Sequence, residues 1–153
     1  MSDVRLYILG LNQPQTGHPP LDTRPVGSAG HRLWRMVSDV SDMTEEDWLE
    51  QTQRVNILSG EALPKDYRSA SRNRGDYIGG MIQRRTVLLL GEVVANAMRH
   101  DEPPFVWARD RDWITIPHPS GKNLFYNNPV HRAAAGLLIR DIVIGLAQEP
   151  RTA

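Results

Sequence analysis

Short apolar runs alternate along this chain with longer stretches in which apolar residues recur at helical spacing. Four of the runs predict strands, at residues 4–9, 54–58, 86–90 and 113–116, and they are rich in valine, isoleucine and leucine. Among these runs only the second carries an amide side chain, that of Asn56. Apolar runs without strict polar alternation are typical of parallel strands that are buried on both faces. The pattern therefore predicts a parallel sheet.

Helices are predicted between and after these strands. Thr44 is a typical N-cap residue, and Asn128 followed by Pro129 is typical of a helix start. Apolar residues that are expected to face the core recur within each helix. They are Leu33, Trp34, Val37 and Val40 in a helix at 31–40, Trp48 after Thr44, Tyr77, Ile78, Met81 and Ile82 in a helix at 76–84, Val93, Val94, Ala97 and Met98 after Gly91, and Leu137, Leu138, Ile142 and Val143 in the last helix.

Strands that alternate with helices predict an α/β fold, and residues 1–153 are expected to form a single domain. The expected architecture is a three-layer α/β/α arrangement with a four-stranded parallel core sheet. The chain is long enough to bury a sizeable core. Between the first strand and about residue 30 lies a proline- and glycine-rich loop, and an ordered loop of that length usually has a functional role.

Charge and cysteine content narrow the classes of function. The chain has 18 basic and 18 acidic residues, so a phosphate-binding surface has to be local. Basic residues cluster in the middle of the chain, where a solvated face and a nucleic-acid surface are both open interpretations. These residues are Arg68, Arg72, Arg74, Arg84 and Arg85. Because cysteine is absent, disulfides, thiolate catalysis and iron–sulfur clusters are excluded.

The expected cellular location and cofactor content follow from sequence features that are missing. Its apolar runs are far too short to span a bilayer, and its first residues do not have the pattern of a signal peptide. We therefore expect a soluble, cytoplasmic protein with no membrane partner. The spacing of the histidines outside the loop at residue 118 is not typical of a metal site, so no metal or other cofactor is expected. These histidines are His18, His31, His100 and His131.

Polar loops follow the first and the fourth predicted strands. The first loop reads Gly-Leu-Asn-Gln-Pro at residues 10–14, and the second reads Pro-His-Pro-Ser-Gly-Lys-Asn at residues 117–123. The carboxyl ends of parallel strands meet at one edge of a sheet, so both loops are expected to contribute to a single site. The second loop contains an imidazole, a hydroxyl, a glycine and a cation. Such a loop can bind a phosphate and at the same time hydrogen-bond a polar leaving group.

These two loops, together with an asparagine in the second strand, resemble the motifs of the uracil-DNA glycosylase superfamily. The similarity in element order extends over nearly the whole chain. The second loop, with Asn127 further on, is most similar to the single-strand-selective monofunctional branch. Residues 30–35, which read Gly-His-Arg-Leu-Trp-Arg, are similar to a helix start in the mismatch-specific branch.

The resemblance implies catalytic roles for Asn12 and His118. His118 would donate a hydrogen bond to the departing base as negative charge develops on it. Asn12 would orient the attacking water, because an amide cannot accept its proton at neutral pH. A histidine or an asparagine that only satisfies its own turn is the alternative at each position.

Binding roles are implied for the neighbouring residues. Asn56 would hydrogen-bond the Watson–Crick edge of a flipped base, although a structural partner for its amide is the competing explanation. The remaining substrate-binding positions implied by the resemblance are Gly10, Leu11 and Gln13. The positions implied to hold DNA phosphates are Ser120, Gly121, Lys122 and Asn123. Candidates for a side chain that fills the space left by an extruded base are Leu124, Phe125 and Tyr126.

The expected function is that of a monomeric, monofunctional DNA glycosylase that excises uracil or a modified pyrimidine by base flipping and water attack. Its partner would be single- or double-stranded DNA. Two alternatives are a non-catalytic module that binds nucleic acid or a modified base, and an N-glycosidase for free or hypermodified nucleotides. Basic residues gathered beside the His118 loop would favour DNA, whereas a small closed pocket would favour a free nucleotide.

Overall fold

Four parallel strands form the centre of the computed structural model, which describes residues 4–11, 19–58, 65–121 and 123–145. The strands are β1 (Leu6–Gly10), β2 (Thr52–Asn56), β3 (Val87–Leu90) and β4 (Trp113–Ile116), and they lie in the order β2-β1-β3-β4. The helices of the described residues are α1 (Ala29–Ser38), α2 (Glu45–Gln51), α3 (Tyr67–Ile82), α4 (Glu92–Ala97) and α5 (Pro129–Val143), with a 3₁₀ helix at Leu124–Asn127.

Side chains of the strands point alternately into two separate apolar clusters, which makes the arrangement a three-layer α/β/α fold. On one face, Ile8 and Leu88 pack with Leu33 of α1 and with residues of α5. On the other face, Leu9 and Leu89 pack with residues of α3 and α4. The predicted fold class and the four-stranded parallel sheet are therefore confirmed.

The order of the strands defines a crevice at the carboxyl ends of β1 and β3. β1 pairs with β2 on one side and with β3 on the other. The connection from β1 to β2 includes α1, on one face of the sheet, and that from β3 to β4 includes α4, on the opposite face. Adjacent strands whose connections leave in opposite directions form a topological switch point, where open α/β sheets usually bind their ligands.

The starts of α1, α2 and α5 are stabilised by the side chains of polar residues. Thr44 accepts a hydrogen bond from the amide of Asp47, and Asn128 accepts one from the amide of Val130, so both predicted caps are confirmed. Ser28 caps α1 by accepting from the amide of His31, which places the start of this helix two residues earlier than expected. Each such cap satisfies a backbone N–H that has no partner inside its helix.

The second strand also begins earlier than predicted, at Thr52 instead of Arg54, because it continues directly from α2. Asn56 is consequently the last residue of β2 and lies at the carboxyl edge of the sheet, opposite Gly10. The amides of Ile57 and Leu58 still donate to the carbonyls of Gly10 and Leu11. The asparagine predicted inside the strand is thus at the position where a ligand at the sheet edge could reach it.

Helix α3 is longer than the predicted segment at 76–84 and begins at Tyr67. Its first turns bury Ser71 and Gly75, which are too small and polar to give an apolar periodicity. Two residues predicted to be buried are exposed, Tyr77 by 63% and Met81 by 68% of their surface. Within the described residues, no helix is long and apolar enough to cross a membrane.

The last two helices largely follow the predicted pattern. Val94, Ala97 and Met98 are buried, whereas Val93 is only half-buried. In α5, Ile142 and Val143 are buried as expected. Leu137 is exposed instead, because the contact with α1 is made through the buried Ala135, Gly136 and Ile139.

Candidate functional site

Gly91 follows β3 and packs against the loop that carries His118. Its amide donates to the carbonyl of Ile116 at 2.9 Å, and its φ of +90° lies in the region that favours glycine. A Cβ at this position would lie 3.1 Å from the Cβ of His118. The glycine therefore lets His118 pack directly against the end of β3, beside the switch point.

The backbone around His118 is held by side chains from the same segment. The amide nitrogen of Asn123 donates to the carbonyl of His118 at 3.0 Å, and its amide oxygen accepts from the N–H of Phe125 at 3.0 Å. The hydroxyl of Tyr126 donates to the carbonyl of Pro117 at 2.6 Å. These bonds fix the loop on both sides of His118, which is the arrangement that a precisely positioned imidazole needs.

The ring of His118 is half-buried, and this burial lowers its pKa below the ordinary histidine value. The imidazole is therefore neutral at pH 7, with one nitrogen that donates and one that accepts a hydrogen bond. A neutral donor of this kind can stabilise negative charge that develops on a ligand oxygen.

An open groove of about 330 Å³ lies on one side of the His118 loop. Three exposed arginines line it, Arg32 and Arg35 from α1 and Arg132 from α5, opposite Ser120 and Gly121. We call this feature the arginine groove. Among the described residues that line it, the one carboxylate is that of Asp39, which forms an ion pair with Arg35 at 3.2 Å. The groove has a net positive charge and an exposed surface.

Arg32 is held in the wall of the arginine groove by its contacts. Its Nε donates to the carbonyl of Gly27 at 3.1 Å, and its Nη2 would lie 2.8 Å from a Cβ on Gly121. On the far wall, Nη1 of Arg132 donates to the carbonyl of Tyr126 at 2.6 Å. Each guanidinium keeps further N–H groups that can bind an anion in the groove.

A second cavity, of about 490 Å³, lies on the other side of the same loop. Its walls are formed by the start of α4, the segment at 100–104 and the end of β4, and both His100 and His118 border it. We call this feature the His100 cavity. Residues 117–121 together with Asn123 thus separate a basic groove from a cavity of different composition.

Gly10 and Asn56 meet at the carboxyl edge on the β2 side of the site. They are register partners, and a Cβ on Gly10 would lie 2.7 Å from the amide oxygen of Asn56. A larger residue in place of Gly10 would collide with that amide. Leu11 follows Gly10 and is half-buried, with its carbonyl bonded to the amide of Leu58 at 2.8 Å.

Apart from His118, Asn56, Gly10 and Leu11, the residues predicted from the sequence divide into three groups. Ser120 and Gly121 line the arginine groove, as a phosphate-binding role requires. Asn123 borders it too, but both ends of its amide are engaged within the loop. The remaining predicted residues, Asn12, Gln13 and Lys122, lie outside the described residues.

The candidates for filling the place of an extruded base differ in exposure. Phe125 stacks on His131 with ring centroids 4.0 Å apart, and Tyr126 is buried. Leu124 has 74% of its surface exposed and follows directly on the His118 loop. Of the three, Leu124 is the residue that a nucleic-acid strand could contact.

Sequence reasoning did not assign the arginines of the groove to the site. Arg32 and Arg35 lie in the segment that resembles a helix start of the mismatch-specific branch. Arg132 belongs to another helix far along the chain, so no sequence motif links it to the other two arginines. The arginines clustered between residues 68 and 85 belong to α3 and the turn after it, and α3 packs on the opposite face of the sheet from α1 and α5. Among the described residues, no group of histidines and carboxylates is arranged to hold a metal ion.

Fold and site together define an α/β protein with a candidate ligand site at the carboxyl edge of a parallel sheet, bordered by a neutral imidazole and an arginine groove. In comparisons with known proteins, no family model matches the chain, and no curated protein sequence matches it.

Proposed function

We propose that this protein is a monofunctional DNA glycosylase that hydrolyses the N-glycosidic bond of uracil or a 5-substituted pyrimidine in DNA. The observation that carries the proposal is the arginine groove, which adjoins the loop of His118. Three exposed guanidinium groups that line one groove suit the phosphates of a strand. A base extruded from that strand would be placed against the imidazole.

His118 is the proposed catalytic residue in this reaction. As the bond between C1′ and the base nitrogen breaks, its electron pair passes to the base and positive charge builds on the sugar. The N–H of the neutral imidazole stabilises the negative charge on the base oxygen. The oxygen of a water molecule then bonds to C1′ and loses a proton to solvent, which leaves a hydroxyl on the sugar and a released base.

Asn56 is the proposed group that recognises the base edge. Its amide can donate and accept at once, which matches the neighbouring carbonyl and N–H of uracil. β2 and β4 are separated by three interstrand spacings of about 4.8 Å each, or roughly 14 Å. Two inward-pointing side chains with a pyrimidine between them would span a gap of this order.

Incubation of the protein with labelled oligonucleotides tests the proposal. Strands that carry uracil, 5-hydroxymethyluracil or hypoxanthine are treated with alkali, which cleaves the backbone wherever a base has been removed. We expect cleavage at uracil or 5-hydroxymethyluracil, and none for an unmodified strand of the same sequence. Free nucleotides are assayed in parallel by release of the base.

Other results would replace the proposal with a stated alternative. Binding of the oligonucleotides without cleavage of any of them would identify a non-catalytic module on this fold. Release of bases from free nucleotides but not from strands would identify a nucleotide N-glycosidase.

A further inference from the structure

One face of α3 combines exposed arginines with exposed apolar side chains. Arg74, Tyr77 and Met81 are spaced by three and four residues. Arg84 and Arg85 follow Met81 at the same intervals, just after the helix ends. Residues at these intervals are neighbours on a helix surface. All five side chains are exposed, and we call this surface the α3 face. Neighbouring apolar side chains that are exposed within a charged rim are typical of interaction sites.

The positive charge of the α3 face is not neutralised within its own helix. Asp76 is the one acidic residue of α3, and it forms an ion pair with Arg99 at 2.9 Å. The guanidinium of Arg74 lies 5.4 Å from the ring centre of Tyr77, which keeps this cation beside the apolar part of the face. A partner that complements the α3 face therefore carries carboxylates together with an apolar side chain.

Helix α2 has this complementary character. It contains four acidic residues and no basic one. Glu46, Leu49 and Glu50 are all exposed, and Glu46 lies three residues before Leu49 and four before Glu50. The leucine is consequently flanked by carboxylates on one side of the helix, which we call the α2 face. Acidic residues in a first turn also stabilise a helix, but this effect does not account for the exposed leucine and Glu50 in the next turn.

The two complementary faces cannot meet within one copy of the chain. Trp48 of α2 is buried in the apolar cluster on the α1 side of the sheet. Ile78 of α3 is buried in the cluster on the opposite side. Each face therefore points to solvent on its own side of the sheet, and its complement is available only from a second copy.

We propose that the α3 face docks the α2 face of a second copy of this chain. In this contact Leu49 packs against Tyr77 and Met81. The carboxylates of Glu46 and Glu50 then lie among the arginines that surround these two side chains. The contact joins two different surfaces, so it is heterologous, and further copies can add in the same way.

The expected association is weak and reversible. Three apolar side chains and a few exposed ion pairs form a small interface, which is typical of transient contacts. Neither helix lines the arginine groove, so a DNA strand in the groove and a second copy on α3 can be bound at the same time. Self-association of this kind requires no glycosylase activity.

The mass of the full chain in solution tests self-association. Sedimentation equilibrium at low salt should give an average mass that rises above 17.3 kDa as the protein concentration increases from about 10 μM to about 1 mM. About 1 M sodium chloride should return the mass towards that of the monomer, because it shortens the Debye length to about 3 Å. A mass of 17.3 kDa at every concentration would overturn the proposal.

Charge reversal identifies the surfaces that meet. Arg74→Glu/Arg84→Glu makes both faces acidic, and Glu46→Arg/Glu50→Arg makes both faces basic. Each variant alone should associate at least about tenfold more weakly than the wild-type protein, because like charges then oppose each other. An equimolar mixture of the two variants should associate again, since each basic face now has an acidic complement. With both folds verified by circular dichroism, a mixture that stays monomeric would show that these faces do not meet.

Arg109→Glu is the control, because Arg109 is exposed and belongs to neither helix. This variant should associate like the wild-type protein. A labelled single-stranded oligonucleotide tests the other possible occupant. A protein that stays monomeric, and whose binding of the oligonucleotide is lost in Arg74→Glu/Arg84→Glu, would assign the α3 face to nucleic acid and overturn the proposal. Uracil excision by the same variants reports on the proposed function separately, because none of the substituted residues lines the arginine groove.

Discussion

The imidazole of His118 packs against Gly91, and its backbone carbonyl is bonded to Asn123. Its surroundings therefore do not depend on the ring itself for their hydrogen bonds. We expect His118→Ala to lower the single-turnover rate of uracil excision by about a hundredfold or more, since one lost donor to a developing oxyanion has this effect. The dissociation constant for the oligonucleotide should change little, because the proposed phosphate contacts lie in the arginine groove.

The comparison with the wild-type protein requires that His118→Ala keeps the same fold, which circular dichroism can verify. An excision rate equal to that of the wild-type protein would remove His118 from the mechanism. The loop would then serve only to position its neighbours.

At the level of elements, the contact between α1 and α5 depends on Gly136. A Cβ at this position would lie 2.0 Å from the carbonyl oxygen of Met36, so the two helices could not keep their present separation. We expect Gly136→Ala to lower the free energy of unfolding by at least about 2 kcal/mol, measured by urea denaturation.

Gly80 in α3 is a matched control, because a Cβ there meets nothing within 4 Å. Gly80→Ala should raise the free energy of unfolding by about 0.5–1 kcal/mol, since alanine loses less backbone entropy in a helix. A destabilised Gly80→Ala protein together with an unaffected Gly136→Ala protein would contradict the packing described for both helices.

The accuracy with which each strand or helix could be predicted depended on the residues of its buried face. β3 is wholly apolar and β4 is apolar except for Thr115, and the positions of both strands follow from the sequence to within one residue. α3 was recognised only from residue 76 onwards, because its first half buries Ser71 and Gly75 against α4. A helix that packs through small residues has no apolar periodicity, so its packing is visible only once the neighbouring helix is in place.

For the whole molecule, the arginine groove predicts a salt-dependent affinity for DNA. Each arginine that contacts a phosphate contributes about 0.7–0.9 to the slope of log affinity against log salt concentration. Arg32→Gln and Arg132→Gln should each reduce the slope by about this amount, measured by fluorescence anisotropy with a labelled oligonucleotide.

Arg84→Gln is the control for this measurement, because Arg84 is exposed and follows α3 on the other face of the sheet. Its slope should equal that of the wild-type protein. A reduced slope for Arg84→Gln with no change for the groove variants would place the nucleic acid on the α3 surface instead.

Stability should also depend on pH through His100. Burial lowers the pKa of this imidazole, and the positive charge of Arg111 lowers it further, while Glu102, Asp101 and Asp110 act in the opposite direction. The folded protein therefore holds His100 neutral below the pH of about 6.5 at which an unfolded histidine gains its proton. The stabilisation is fully present above that pH and is lost as pH falls towards the lower pKa of the folded state.

The urea-derived free energy of unfolding should accordingly fall between pH 7 and pH 5, with His100 contributing a slope of at most about 1.4 kcal/mol per pH unit. The slope should be smaller in His100→Gln, which cannot take up a proton. A slope that is the same in both proteins would show that other groups control the acid sensitivity.

The site was predictable only where it is local in sequence. Residues 117–121 follow β4 directly, so the position of His118 beside Ser120 and Gly121 follows from a single motif in the sequence. Arg32 and Arg132 are 100 positions apart, and only the contact between α1 and α5 brings them to the same groove. No local pattern indicates that these two arginines share a site.

The wall formed by residues 117–121 and Asn123 is common to the arginine groove and the His100 cavity. A bound phosphate that displaced this wall would change the shape of the cavity as well, so the proposed binding in the groove and any binding in the cavity would be thermodynamically linked. Linkage is reciprocal: the factor by which a strand in the groove alters the affinity for a base is also the factor by which the base alters the affinity for the strand. A protein built in this way reports the presence of one ligand as a changed affinity for the other.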